Sequence, residues 1–294
     1  LGALASGFLL FGVSLLFGIA GTTSFTELSI YFSKQSFDSP LLVLSIVMIL
    51  SAIAFKISIA PFHMWTPDVY EGAPTSITAF FAVVPKIAAF AILIRILFIS
   101  FIEISYIWQQ ILLLMAILSI FVGSFGALLQ DNIKRLMAYS SIGHTGYAIA
   151  GIAAGTESGF KSTLVYISIY VVMNIGAFAC ILLMKREGKY LEEIDELSGL
   201  SKNHPLISFA LLIILFSLAG IPPLAGFFAK FYIFMAVIES GMYTLAIVGL
   251  VATVVSAFYY IRIIKIMYFD EPKKSFEKFT DYRIYGPIVL SCIL

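Results

Sequence analysis

Residues 83–91 read Val83-Val84-Pro85-Lys86-Ile87-Ala88-Ala89-Phe90-Ala91 (VVPKIAAFA), inside an apolar run from Ile77 to Ser100. A charge at the centre of a membrane helix costs at least ~2.5–3.5 kcal/mol on insertion scales. A proline in the same turn removes a backbone hydrogen bond as well. Two penalties at one point require a compensating role. The rest of the chain shows that the setting is a membrane. Its 294 residues are 61% hydrophobic and 12% charged, with a mean hydropathy of +1.02, whereas soluble domains carry about 25% charge. Apolar runs of about 20 residues, enough to span a ~30 Å hydrocarbon core, recur from end to end. The expectation is an all-α, polytopic transmembrane helix bundle in contact with lipid. A net charge of +1 supplies no signal for nucleic acid, and no such partner is expected.

Eight full spans and the start of a ninth are expected, at about 2–22, 41–60, 75–100, 108–130, 135–154, 162–184, 205–236, 243–269 and from 283 onward. The connectors are short and polar, which suits one domain over residues 1–294. Because the chain starts at Leu1 and stops at Leu294, both within apolar stretches, it reads as a piece of a longer protein, truncated at both ends. Letting the connectors alternate between two sides places Lys134, Arg135, Lys185, Arg186, Lys189, Lys202, Arg262, Lys265, Lys273, Lys274, Lys278 and Arg283 on one side. Only Lys34 and Lys161 fall on the other. The positive-inside rule then puts the loop KREGKYLEEIDELSGLSKNHP on the cytoplasmic or matrix side, with Leu191, Ile194 and Leu197 as one amphipathic turn capping the bundle.

Four cations remain. Arg95 lies near a span end, where it can snorkel, while Lys56, Lys86 and Lys230 lie deeper. Lys86 is twelve residues past Pro74, or ~18 Å at 1.5 Å per residue, close to the midplane. Two spans carry helix-breaking sequence: IAPFHMWTP after Lys56, and LAGIPPLAGFFAK ending on Lys230. Paired breaks mark internal repeats in many carriers. These are five spans apart, so the two helices cross in opposite directions and the repeat is inverted.

Desolvation makes an ammonium easier to deprotonate. Backbone freed at a break is tolerated at membrane depth only when buried in protein or lining a wet cavity. Pro85 frees the Phe81 carbonyl in the same way. Lys56, Lys86 and Lys230 are therefore candidate proton carriers. His144, with Ser140 and Tyr147 a turn to either side, extends the series as a relay. Structural readings compete: a fixed ion pair for Lys86, snorkelling for Lys56 and Lys230, hydrogen-bonded packing for His144. All seventeen carboxylates fall in connectors or at span ends, so a partner for the lysines has to come from elsewhere. His63, Asp68 and Glu71 suit a gate, or equally the turn chemistry of a loop. Cys180 and Cys292 lie singly in apolar runs without cluster or nucleotide-loop spacing. No cofactor or metal is expected in this chain, and any electrons travel elsewhere.

FKISIAPFHMWTPDVYEGAP, PKIAAFAILIRI, NIKRLMAYSSIGHTGY and LAGIPPLAGFFAKFY together resemble the antiporter-like membrane subunits of proton-pumping NADH-quinone oxidoreductase, respiratory complex I. The TPDVYEGAP form is similar to the subunit N branch. The resemblance implies a fourteen-helix fold with two inverted five-helix repeats, of which this chain covers roughly helix six to the start of fourteen. It implies proton-translocating roles for Lys56, Lys86, His144 and Lys230, and a buried glutamate on a helix before Leu1 that pairs with Lys56. The fragment alone is then expected not to pump. It further implies the other membrane-arm subunits, protons and water as partners, with NADH, FMN, iron–sulfur clusters and quinone (ubiquinone among them) held in partner subunits. The expected location is the bacterial inner membrane, or the mitochondrial one if organellar. A subunit of a multisubunit sodium/proton antiporter is the alternative.

Overall fold

Where the sequence is apolar for 18 residues or more, the chain is helical, and where Pro and Gly cluster the helices stop. The computed structural model describes residues 1–34, 39–277 and 282–293; Lys278 lies outside them. Its helices are α1 (Gly2–Ala20), α2 (Phe25–Lys34), α3 (Pro40–Ile57), α4 (Trp65–Gly72), α5 (Thr75–Arg95), α6 (Ser105–Leu128), α7 (Ile133–Ala153), α8 (Glu157–Leu182), α9 (Leu200–Asn203), α10 (Pro205–Ala219), α11 (Ala225–Glu239), α12 (Tyr243–Phe269) and α13 (Tyr285–Ile293). Among the described residues, six continuous helical segments, built on α1, α3, α5, α6, α8 and α12, are long and apolar enough to cross a membrane. The other two expected spans differ in kind. The seventh, 205–236, is two half-length helices, α10 and α11, parted at Gly220. The fifth is α7, which carries Ser140, Ser141, His144, Thr145 and Tyr147 and is buried along nearly its whole length. A helix enclosed by protein on all sides needs no lipid-facing apolar stripe.

Glycines let α7 occupy that central place. A side chain on Gly123 of α6 would strike the Gly143 backbone, and one on Gly146 would meet Ile120 and Ser119 at 2.8–3.0 Å. Small residues of this kind permit close helix approach. We expect Gly123→Val to force the α6–α7 seam apart at a cost of at least about 1–3 kcal/mol. A lowered melting temperature in detergent would show it, and an unchanged one would contradict the tight seam.

Both interrupted helices appear, running in opposite senses. α3 ends at Ser58, left-handed at φ 63. The freed backbone finds partners in Trp65, whose Nε1 donates to the Phe55 carbonyl at 2.9 Å, and in Ser119, whose Oγ accepts from the Ala60 amide at 2.9 Å. α10 ends at Gly220 with φ 85, a conformation that glycine adopts without a Cβ clash.

The connectors meet at two ends of the bundle, and the Lys/Arg-rich one is called inner by the positive-inside rule. At the inner end Arg135 pairs with Asp68 and Glu71 at 2.9 and 2.7 Å, Arg262 with Asp131 at 2.8 Å, and Arg186 with Glu196 at 2.9 Å. At the outer end Ser158 bonds Glu239 at 3.2 Å, and Arg95 lies 5.7 Å from the Phe25 ring centre. Asp68 and Glu71 thus order the inner mouth. Lys273 bonds Asp195, which raises the lysine above its ordinary pKa. That latch is fully present below the ordinary value and is lost only as pH rises through the raised one, so it is complete at neutral pH.

Three expectations need correction. The first connector holds a ten-residue helix, α2, whose Leu28 and Phe32 are buried, and the inner loop holds a short hairpin pairing Lys185–Arg186 with Lys189–Tyr190. Pro85 does not interrupt its helix, since α5 runs from Thr75 to Arg95 through it. Lys134, placed among the solvent-side cations, is 1% exposed. Of the expected capping turn, Ile194 and Leu197 form a 3-10 helix over Ile194–Leu197 and are buried, while Leu191 lies before it, half-buried, its amide on the Met184 carbonyl.

Candidate functional site

Five helices, α5, α7, α8, α11 and α12, bring polar residues to one axis inside the bundle. From α5, Lys86 is 3% exposed, and its Nζ donates to Ser141 Oγ on α7. The Tyr170 hydroxyl of α8 donates to the same oxygen at 2.8 Å, and the Tyr70 ring of α4 stands 5.8 Å from the ammonium. One turn along α7, His144 is 4% exposed. Its Nδ1 lies 2.7 Å from the Tyr166 hydroxyl and its Nε2 3.2 Å from the Tyr260 hydroxyl, which also bonds Ser140. A neutral imidazole donates from one nitrogen and accepts at the other. The two tyrosines therefore take opposite roles, and a change of tautomer reverses both.

A further turn along, Tyr147 places its ring 5.3 Å from Lys230 Nζ on α11, while its hydroxyl donates to the Gly249 carbonyl at 2.9 Å and lies 2.8 Å from Thr253 Oγ1. Lys230 is 4% exposed and donates to the carbonyls of Leu218 and Ala219 at 3.2 and 2.9 Å. Those carbonyls lack helical acceptor roles because α10 stops at Gly220, so the second break itself builds the seat. The negative end of the α10 dipole points there too.

Among the described residues, neither Lys86 nor Lys230 pairs with a carboxylate; every ion pair found is at an end of the bundle. Each ammonium rests instead on hydroxyls, carbonyls and an aromatic face, which stabilise charge less than a counter-ion does.

Lys56 stands apart. It is exposed, in an apolar groove with Phe55, Trp65, Val69, Phe81 and Pro85 that the start of α1, Leu1 and Gly2, only borders. The structure thus joins Lys86, His144 and Lys230 and leaves Lys56 off the axis. His63 is half-buried at the first break, away from the axis, with its Nδ1 unbonded.

Sequence reading missed Tyr70, Ser141, Tyr166, Tyr170 and Tyr260. One signal was present: Tyr166 and Tyr170 are four apart on α8, hence on one face, in an otherwise aliphatic run.

The described family NADH:quinone oxidoreductase/Mrp antiporter, transmembrane, matches residues 1–256. NADH-quinone oxidoreductase subunit N of Pelagibacter ubique is 54% identical over the whole of this chain, which covers 62% of that relative. The chain thus spans about three fifths of the length of the curated relatives it matches. A chain of respiratory complex I from Thermus thermophilus superposes with a TM-score of 0.84 at 32% identity, over 99% of this chain and 63% of its own. A chain of the Mrp complex from Dietzia sp. gives 0.84 at 25% identity, over 92% and 50%.

Proposed function

This chain belongs to the NADH:quinone oxidoreductase/Mrp antiporter transmembrane family, and on that premise we propose that it forms a single transmembrane domain of a proton-translocating membrane-arm subunit in NADH:quinone oxidoreductase. The observation that carries the reading is the buried axis along α7, with Lys86 and Lys230 at its ends and His144 between. A proton held on Lys86 passes through the Ser141–Tyr170 hydroxyls to His144. There the change of tautomer between Tyr260 and Tyr166 moves it across the ring, and bridging water past the Tyr147 ring carries it from the Tyr166 hydroxyl to Lys230. Hydroxyl chains in a low dielectric polarise one another and suit such transfer.

NADH oxidation and quinone reduction take place in partner subunits, which hold the FMN and iron–sulfur clusters. The redox energy reaches this axis as electrostatic change. Lys56, exposed here, receives its partner from outside this chain and acts as the coupling charge at the inner half of the first broken helix. The complex sits in the bacterial inner membrane, among lipids and the other membrane-arm subunits.

The likeness to the Mrp complex supports a second reading, a sodium/proton antiporter subunit that works without redox input. Vesicles bearing the native complex separate the two. The first reading expects proton uptake on NADH addition that stops with an inhibitor of quinone reduction. The second expects sodium to dissipate a preset pH difference with no electron donor present.

A further inference from the structure

The axis above leaves unused the buried Lys134 and the buried hydroxyl of Tyr70, both next to it. Lys134 opens α7 at the inner end, with its side chain 2% exposed, bonded to Glu192 Oε1 at 2.6 Å and to the Ala73 carbonyl at 2.9 Å. Glu192 is 28% exposed, so it reaches the inner solvent. It is held there by its own backbone carbonyl, which accepts from the Ile133 amide at 2.7 Å, and by Asn132, whose amide donates to Oε2 at 3.4 Å. Ala73 immediately follows α4. Three residues before it stands Tyr70, fully buried, its ring beneath the Lys86 ammonium and against Phe178 at 6.3 Å, its hydroxyl beside Ser141. On α7 itself, Lys134 and Ser141 are seven residues apart, two turns on one face, about 10 Å.

From this alignment we infer that Glu192, Lys134 and Tyr70 form the inner-side proton inlet to Lys86. The inference rests on the proton-translocating reading above. The step balances without a co-reactant. Through bridging water, the Tyr70 hydroxyl gives its proton to the neutral Lys86 amine while taking one from the Lys134 ammonium, and Lys134 is reprotonated from inner water through the Glu192 carboxyl. Surrounding charges are already engaged: Asp68 and Glu71 of α4 by Arg135, Asp131 by Arg262, and Asp195 of the loop by Lys273; Glu193 is exposed. This leaves Glu192 as the carboxylate on Lys134.

The test uses the native complex in inverted vesicles, whose outer surface is the inner face of the membrane. Tyr70→Phe keeps the ring and removes one oxygen. The expected result is an assembled complex whose NADH-driven quinone reduction and proton uptake fall about fivefold at pH 8 and less at pH 6, where protons are abundant. Lys134→Arg keeps the ion pair, but a guanidinium does not release its proton; it is expected to assemble and to lose rate similarly. Glu192→Ala is expected to recover rate when formate is added, which a purely structural latch would not do. Wild-type rate and pH profile in assembled Tyr70→Phe and Lys134→Arg, beside a defective Lys86→Ala, overturn the inlet alone. A normal Lys86→Ala overturns the reading beneath it. Should Glu192→Ala fail to assemble, the other two variants decide.

Discussion

Lys86→Ala is expected to give a complex that assembles but reduces quinone and takes up protons at least about tenfold more slowly, equivalent to about 1.4 kcal/mol on the limiting barrier. Assembly survives because the ammonium has no carboxylate partner to strand. Removing one member of a buried ion pair costs about 3–5 kcal/mol, and here that cost does not arise. What is lost is the donor to Ser141, and with it the carrier at the inner end of the axis. Both rates fall together if electron transfer waits on proton movement. The measurement is subunit content on a native gel, then NADH-driven proton uptake and quinone reduction in vesicles. Unchanged pumping in an assembled complex would remove Lys86 from the path.

Lys230→Ala is expected to reduce both rates to a similar degree and to lower stability as well. Its ammonium bonds two carbonyls exposed by the second break, and leaving buried acceptors unpaired costs about 1–3 kcal/mol. Lys230→Arg separates the two effects. Arginine keeps donors for the Leu218 and Ala219 carbonyls but holds its proton under all working conditions. Melting temperature in detergent should return toward the native value while proton uptake stays low. Recovery of pumping in Lys230→Arg would mean that the residue serves only as a cap on α10.

Membrane topology was legible because it depends on one-dimensional quantities: length, apolarity and the sidedness of Lys and Arg. The two broken helices were legible because Pro and Gly act locally. Burial is different, since it depends on which helices pack together. Lys56 and Lys86 both looked deep by position, yet α7 and α8 cover only Lys86. Lys134 looked like a loop cation, yet α4 and the inner loop close over it. Pro85 frees the Phe81 carbonyl yet α5 continues through it, because packed neighbours can sustain a membrane helix across a proline. The tyrosines of the axis were invisible for a related reason. In an apolar run Tyr counts as hydrophobic, and only its neighbour across the helix interface reveals the hydroxyl as part of a chain.

The claim that Lys86, His144 and Lys230 form one path is tested most directly by proton uptake in the Lys86→Ala/Lys230→Ala double variant beside each single one. Steps in series share one bottleneck, so the double variant is expected to pump at about the rate of the slower single variant. Losses that multiply, about tenfold becoming about a hundredfold, would show two independent sites and contradict the single axis.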